Sequence, residues 1–176
     1  MSAPEFSRTY RADTLGEAPR RVEIAAEEGE RAALAARFRL PAIDSLDAEA
    51  AISRHGDVIR AEGRVRAAVT QSCVATGEPV SAAVDEAFRI EFRPQPETAR
   101  ADEEIELSEG EMDVVFYDGA MIDLGEAVAE TLALGLDPFP RSPDAEAALR
   151  EAGVKSEGEA GPFGALAALR DKMRGQ

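Results

Sequence analysis

Residues 58–73, VIRAEGRVRAAVTQSC, and 80–92, VSAAVDEAFRIEF, decide the fold. In the first stretch Ile59, Ala61, Gly63, Val65, Ala67, Val69 and Cys73 share one parity, opposite Arg60, Glu62, Arg64, Arg66, Ala68 and Thr70. In the second, Val80, Ala82, Val84, Phe88, Ile90 and Phe92 stand opposite Asp85, Arg89, Glu91 and Arg93. Successive side chains of a strand point to opposite faces, so this alternation predicts two antiparallel strands, one face buried and the other in water. Ala75-Thr76-Gly77-Glu78 joins them, with Gly77 free to take a positive φ in the turn. Glu86 falls on the apolar parity and marks a bulge or a strand rim. The expected register sets Arg60 opposite Arg93 and Arg64 opposite Arg89, with Arg66 alongside. Like charges directly opposite destabilise a sheet, so Glu62 and Glu91, which fall between them, are expected to offset the arginines diagonally. The face then reads in one of two ways: as a neutral, salt-bridged checkerboard, or as an arginine patch free to contact phosphates.

Upstream, Arg21 to Ala25 alternates as a short strand, whereas residues 1–20 carry little periodicity. Glu27 to Arg37 is rich in helix formers, opens on acidic residues that suit a helix N-terminus, and is closed off by Pro41. Leu46, Ala48, Ala50 and Ile52 form a second alternating strand, and His55-Gly56-Asp57 turns it onto the next. Downstream, residues 95–111 (QPETARADEEIELSEGE) predict a polar, acidic loop or linker. Met112 to Tyr117 is a last strand. From Met121 to Leu134, Asp123 followed by Glu126 resembles a capping box, and Leu124, Val128, Thr131 and Leu132 fall on one helix face. Asp137-Pro138-Phe139-Pro140 ends that helix. Residues 141–162 predict a polar tether, and Phe163 to Met173 a short amphipathic helix. The fold class expected is α+β. A curved antiparallel β-sheet of about five strands is flanked by an N-terminal helix, a capping helix near 123–135 and a short C-terminal tail helix. Residues 1–140 are expected to form one domain carrying the acidic loop 95–111, with 141–176 as tether and tail helix.

The 176 residues are 44% hydrophobic but only 5% aromatic and contain no Trp, so the core must be chiefly Ala, Val, Leu and Ile. The formal net charge is −15, spread unevenly: −3 over residues 1–94 and −12 over 95–176. Such a balance argues against wholesale electrostatic binding to nucleic acid and confines any basic patch to the first half. Of the basic residues only Lys155 and Lys172 are Lys, and Arg suits bidentate phosphate contact. No membrane span and no signal peptide are expected. With a single cysteine, no internal disulfide is expected, and a cytoplasmic location fits.

Catalytic constellations are lacking. Cys73 lies on the core parity of its strand and reads as a small hydrophobe. His55 reads as an exposed turn residue. The acidic run from Asp102 to Asp113 lacks the register of a calcium loop, and Gly119, Gly125 and Gly135 fit no nucleotide fingerprint. Asp123, Glu126 and Glu130 recur at helical spacing, which capping and solubility explain. The protein is therefore expected to be no enzyme and to need no cofactor, metal or small-molecule substrate.

Three segments together resemble the YceD-like family: the hairpin VTQSCVATGEPV around Cys73, the segment IDLGEAVAETLALGLDPFPR from Ile122 to Arg141, and PFGALAAL from Pro162 to Leu169. The resemblance implies a non-catalytic factor in large-subunit ribosome biogenesis and 23S rRNA accumulation, with large-subunit rRNA or ribosomal proteins as partners. Many relatives carry Cys-x-x-Cys at the hairpin; here Thr76 takes the second position and no other cysteine exists, so zinc binding is not carried over. Gly161 stands where the family's tail has Asn. Two modes of contact follow. Arg60, Arg64, Arg66, Arg89 and Arg93 are candidates for touching RNA; with no aromatic stacking platform expected on that face, base-specific recognition of single strands is not expected, and binding would be phosphate-dominated and salt-sensitive. Alternatively, Asp102, Glu103, Glu104, Glu126, Glu130, Phe163 and Leu166 would make the chain an adaptor for a basic ribosomal protein or assembly factor.

Overall fold

The computed structural model describes residues 4–95, 113–117 and 120–154. In chain order the elements are β1 (Thr9–Arg11), β2 (Arg20–Ala25), α1 (Glu28–Phe38), β3 (Ala42–His55), β4 (Val58–Ser72), β5 (Pro79–Pro94), β6 (Asp113–Tyr117), β7 (Met121–Asp123), α2 (Leu124–Leu134) and α3 (Ala145–Glu151). Strands β2-β3-β4-β5-β6 form one five-stranded sheet, and β1 pairs with β7 in a second, two-stranded one. The class is α+β, as the alternation predicts.

Periodicity explains the sheet. Along β4, Ile59, Ala61, Val65, Ala67 and Val69 are buried while Arg60, Glu62, Arg64 and Arg66 are exposed. β3 is longer than its four alternating apolar residues foretell, and pairs antiparallel with β4 from Ala42↔Thr70 to His55↔Val58. Only six residues join β4 to β5, too few for a crossover, so these two strands form a hairpin. The fifth strand departs from the all-antiparallel expectation. β6 runs parallel to β5, with Glu91 beside Val114 and Arg93 beside Phe116. A connection from residue 95 to 112 is long enough to return the chain to the same end.

Close approach fixes β4 against β3. A Cβ on Gly63 would fall against the Glu49 carbonyl oxygen and 2.7 Å from Phe88 Cζ, so the aromatic ring lies where any side chain would stand. Glu86 lies in the middle of β5, exposed between buried Val84 and Phe88.

The helices follow their caps. The Glu30 carboxylate accepts from the Glu27 N–H at 2.8 Å, which satisfies one of the donors at the start of α1. Asp123 caps α2 by accepting from the Gly125 and Glu126 N–H groups. Glu126 does not complete the predicted box; its carboxylate takes Arg37 of α1 at 2.7 Å instead. Asp123 also accepts from the Arg8 N–H and the Ser7 hydroxyl. Residues 7–11, from a stretch with little periodicity, are thus held by the start of α2 and by β1–β7 pairing. Leu124, Val128 and Leu132 are fully buried, in one cluster with Phe6, Leu34, Ile52, Ile59, Val65 and Phe92. At about 1.5–3 kcal/mol for each large apolar side chain removed from water, this cluster is the main favourable term.

By contacts the chain divides into two compact units, Met1–Gln71 with Ser81–Pro138, and Ser72–Val80 with Phe139–Gln176. The first holds the sheets, α1 and α2. In the second, the hairpin tip turns at Gly77, whose φ is 76°, and the Cys73 N–H donates to the Glu78 carbonyl at 2.7 Å. The Val74 N–H donates to Pro140, and the Ser142 N–H donates to Cys73 Sγ. Within the stretch read as a polar tether, Ala145–Glu151 forms α3, because AEAALRE is made of good helix formers and buries Ala145. The tail helix expected at 163–173 and the loop at 96–111 lie outside the described residues.

Candidate nucleic-acid interface

The outer face of the five-stranded sheet is the side turned away from the apolar cluster. It carries all five arginines singled out by parity: Arg60, Arg64 and Arg66 on β4, Arg89 and Arg93 on β5. Four of them meet carboxylates, but in two different ways. Arg64 donates to Asp85 and Arg66 to Glu49, each at 2.6 Å, in pairs whose members are all roughly half exposed. Exposed pairs of this kind contribute about 0–1 kcal/mol and exchange readily with other ions. Hydrogen bonding to Glu49 raises the Arg66 pKa further above its ordinary value.

Arg60 and Arg93 share a different carboxylate. Glu91 has a side chain only 4% exposed; it accepts from Arg60 Nε at 3.0 Å and from Arg93 Nη2 at 2.7 Å and Nε at 3.1 Å. Parity placed Glu91 on the solvent face, and the structure buries it beneath the two guanidinium groups. Hydrogen bonding from Arg93, helped by Arg60, holds its carboxyl below the ordinary carboxylate range against the opposing effect of burial. The arginine side chains above it remain 47% and 41% exposed. Arg60 uses only its Nε on Glu91, so its two terminal nitrogens have no partner among the described residues. Arg89 forms no ion pair among the described residues.

The face also holds an aromatic residue that parity missed. Val115 and Tyr117 of β6 pack on the core, which turns Val114 and Phe116 outward, and Phe116 is 49% exposed next to Arg93. DVVFY is too uniformly apolar for its parity to choose a face, and its parallel pairing was not foreseen. The expectation of a face without aromatics is corrected accordingly.

Asp102, Glu103, Glu104, Phe163 and Leu166 lie outside the described residues. Glu126 is engaged by Arg37, and Glu130 is exposed on α2. Cys73 is buried, as its parity predicts. The Ser142 hydroxyl and backbone N–H, then the Thr76 hydroxyl, hydrogen-bond to it and lower its pKa to about 6. Hydroxyls and an N–H do not make a tetrahedral zinc donor set, so the zinc chemistry of Cys-x-x-Cys relatives does not fit here. Among the described residues no helix is long and apolar enough to cross a membrane.

No curated protein and no solved structure matches the chain. Residues 61–170, more than half of the chain, match the family described as large ribosomal RNA subunit accumulation protein YceD. The match begins within β4, just after Arg60, and runs through β5, β6 and α2 into the C-terminal segment, taking in Arg64, Arg66, Arg89 and Arg93 and all three segments that carry the resemblance. The chain therefore belongs to the YceD family, whose name ties it to accumulation of large-subunit ribosomal RNA.

Proposed function

We propose that this protein is a non-catalytic, cytoplasmic factor that promotes accumulation of large-subunit rRNA by contacting the RNA directly with the outer face of its five-stranded sheet. The observation that carries the reading is Glu91. A buried carboxylate anchors two guanidinium groups from below and leaves their outer N–H donors to solvent. Arg60 and Arg93 are thereby ordered before any ligand arrives, which lowers the entropic cost of meeting a phosphate. Charge-assisted Arg–phosphate hydrogen bonds are among the stronger polar contacts available to a protein surface. The net charge of −15 opposes loose electrostatic binding, so contact would be confined to this face and steeply dependent on salt.

The alternative reading is an adaptor that holds a basic ribosomal protein through its acidic segments, and the −12 charge of residues 95–176 favours it. Co-purification before and after nuclease treatment separates the two. Loss of ribosomal partners on nuclease treatment, together with filter binding of large-subunit rRNA fragments by the purified chain, supports direct contact. Partners that survive nuclease, with no binding to purified RNA, support the adaptor.

A further inference from the structure

We infer that Phe116, with Arg93 beside it on β5 and Arg60 one strand farther on β4, is a stacking subsite for an unpaired nucleobase, so that the RNA this face takes is single-stranded. The inference rests on the direct-contact reading above and narrows it to one class of RNA.

Phe116 is a half-exposed aromatic ring on a strand, where an isolated exposed Phe carries a hydration cost that burial would remove. Neighbouring strands lie about 4.8 Å apart, so the parallel register sets the Phe116 backbone that far from Arg93. Val114 extends the apolar strip one position along the same face, beside Glu91. Three cation–π contacts occur among the described residues, and none involves Phe116, so no arginine lies over its ring. A half-exposed ring beside an ordered guanidinium group, with a second one strand away, has the chemistry of single-strand binding: a base stacks on the ring while the adjoining phosphates meet arginine. A duplex buries its base faces in its own stack and offers this ring nothing. Arg89, without a carboxylate partner among the described residues, extends the positive edge along β5.

The test uses the full chain and two labelled probes, an oligouridylate of about ten nucleotides, within the span such surfaces cover, and an RNA duplex of the same length. Affinities are read by fluorescence anisotropy. The wild type is expected to prefer the single strand. Phe116→Leu should lose about tenfold on the oligouridylate, the loss of one stacked base, and nothing on the duplex, whereas Phe116→Trp should keep the preference. Because the side chain is half exposed, the variants should melt with the wild type, which a thermal scan checks. If Phe116→Leu binds oligouridylate like the wild type while Arg60→Ala/Arg93→Ala does not, the stacking subsite is overturned and direct contact stands. If the wild type binds neither probe, both fall. If Phe116→Leu loses only a nuclease-resistant protein partner, β6 is a peptide-docking edge and the subsite is overturned.

Discussion

Two parts of one sheet face use the same residue types to different ends. Nearer the tip of the β4–β5 hairpin, Arg64 meets Asp85 of β5 and Arg66 meets Glu49 of β3, exposed carboxylates one apiece. Farther from the tip, where β5 pairs with β6, Glu91 is buried and holds two arginines at once, with half-exposed Phe116 beside one of them, Arg93. Burial of the carboxylate makes the difference. An exposed partner neutralises an arginine and moves with it; a buried partner orders the guanidinium and leaves its outer donors unused. On the proposed function, the first arrangement serves solubility and the second is the surface that meets RNA.

The largest effect should come from what holds the strands under both parts. Gly63→Ala drives a methyl group into the Glu49 carbonyl and Phe88, and should destabilise the protein by about 2–3 kcal/mol in urea unfolding. Next comes the carboxylate that separates the two parts. Removing one member of a fully buried pair costs about 3–5 kcal/mol; here the arginines can rehydrate, so Glu91→Gln should cost about 1–2 kcal/mol. The folded pKa of Glu91 is depressed, so its contribution is full above the unfolded value, about 4.3, and is lost as pH falls through the folded one. The wild type should therefore lose stability below about pH 4.5 more steeply than Glu91→Gln, as pH-dependent melting would show. Asp85→Asn and Glu49→Gln, on the exposed side, should each cost less than about 0.5 kcal/mol. If the Asp85 and Glu91 variants cost the same, the contrast between the two parts fails.

The smallest effect lies off the sheet. Ser142→Ala removes the hydroxyl that does most to lower the Cys73 thiol, and should raise its titration midpoint from about 6 toward the ordinary 8.5 or so. With a single cysteine in the chain, thiolate absorbance reads that midpoint directly. RNA affinity should not change.

The strands and the main helices were legible because each is long and periodic. The hairpin states its two faces residue by residue, and Asp123 announces α2. The β1–β7 pair was not legible, since three-residue strands held by Asp123 and a distant partner leave no local pattern. The parallel course of β6 depends on a long connection, not on the strand's own residues. The arginine row of the candidate site was readable from parity, yet its two most telling residues were not. Glu91 has the parity of a solvent residue and is buried by the arginines drawn over it. Phe116 has no polar neighbour in DVVFY to declare which way it faces.

The central claim is that the Glu91-anchored arginines, not the exposed pairs, meet RNA. The direct measurement is filter binding of large-subunit rRNA fragments across a salt series, comparing wild type, Arg60→Ala/Arg93→Ala and Arg64→Ala/Arg66→Ala. The first double variant should lose affinity uniformly across fragments and flatten the slope of log K against log salt by about two phosphate contacts, while the second stays close to wild type. Equal loss in both double variants, or none in either, would contradict the account.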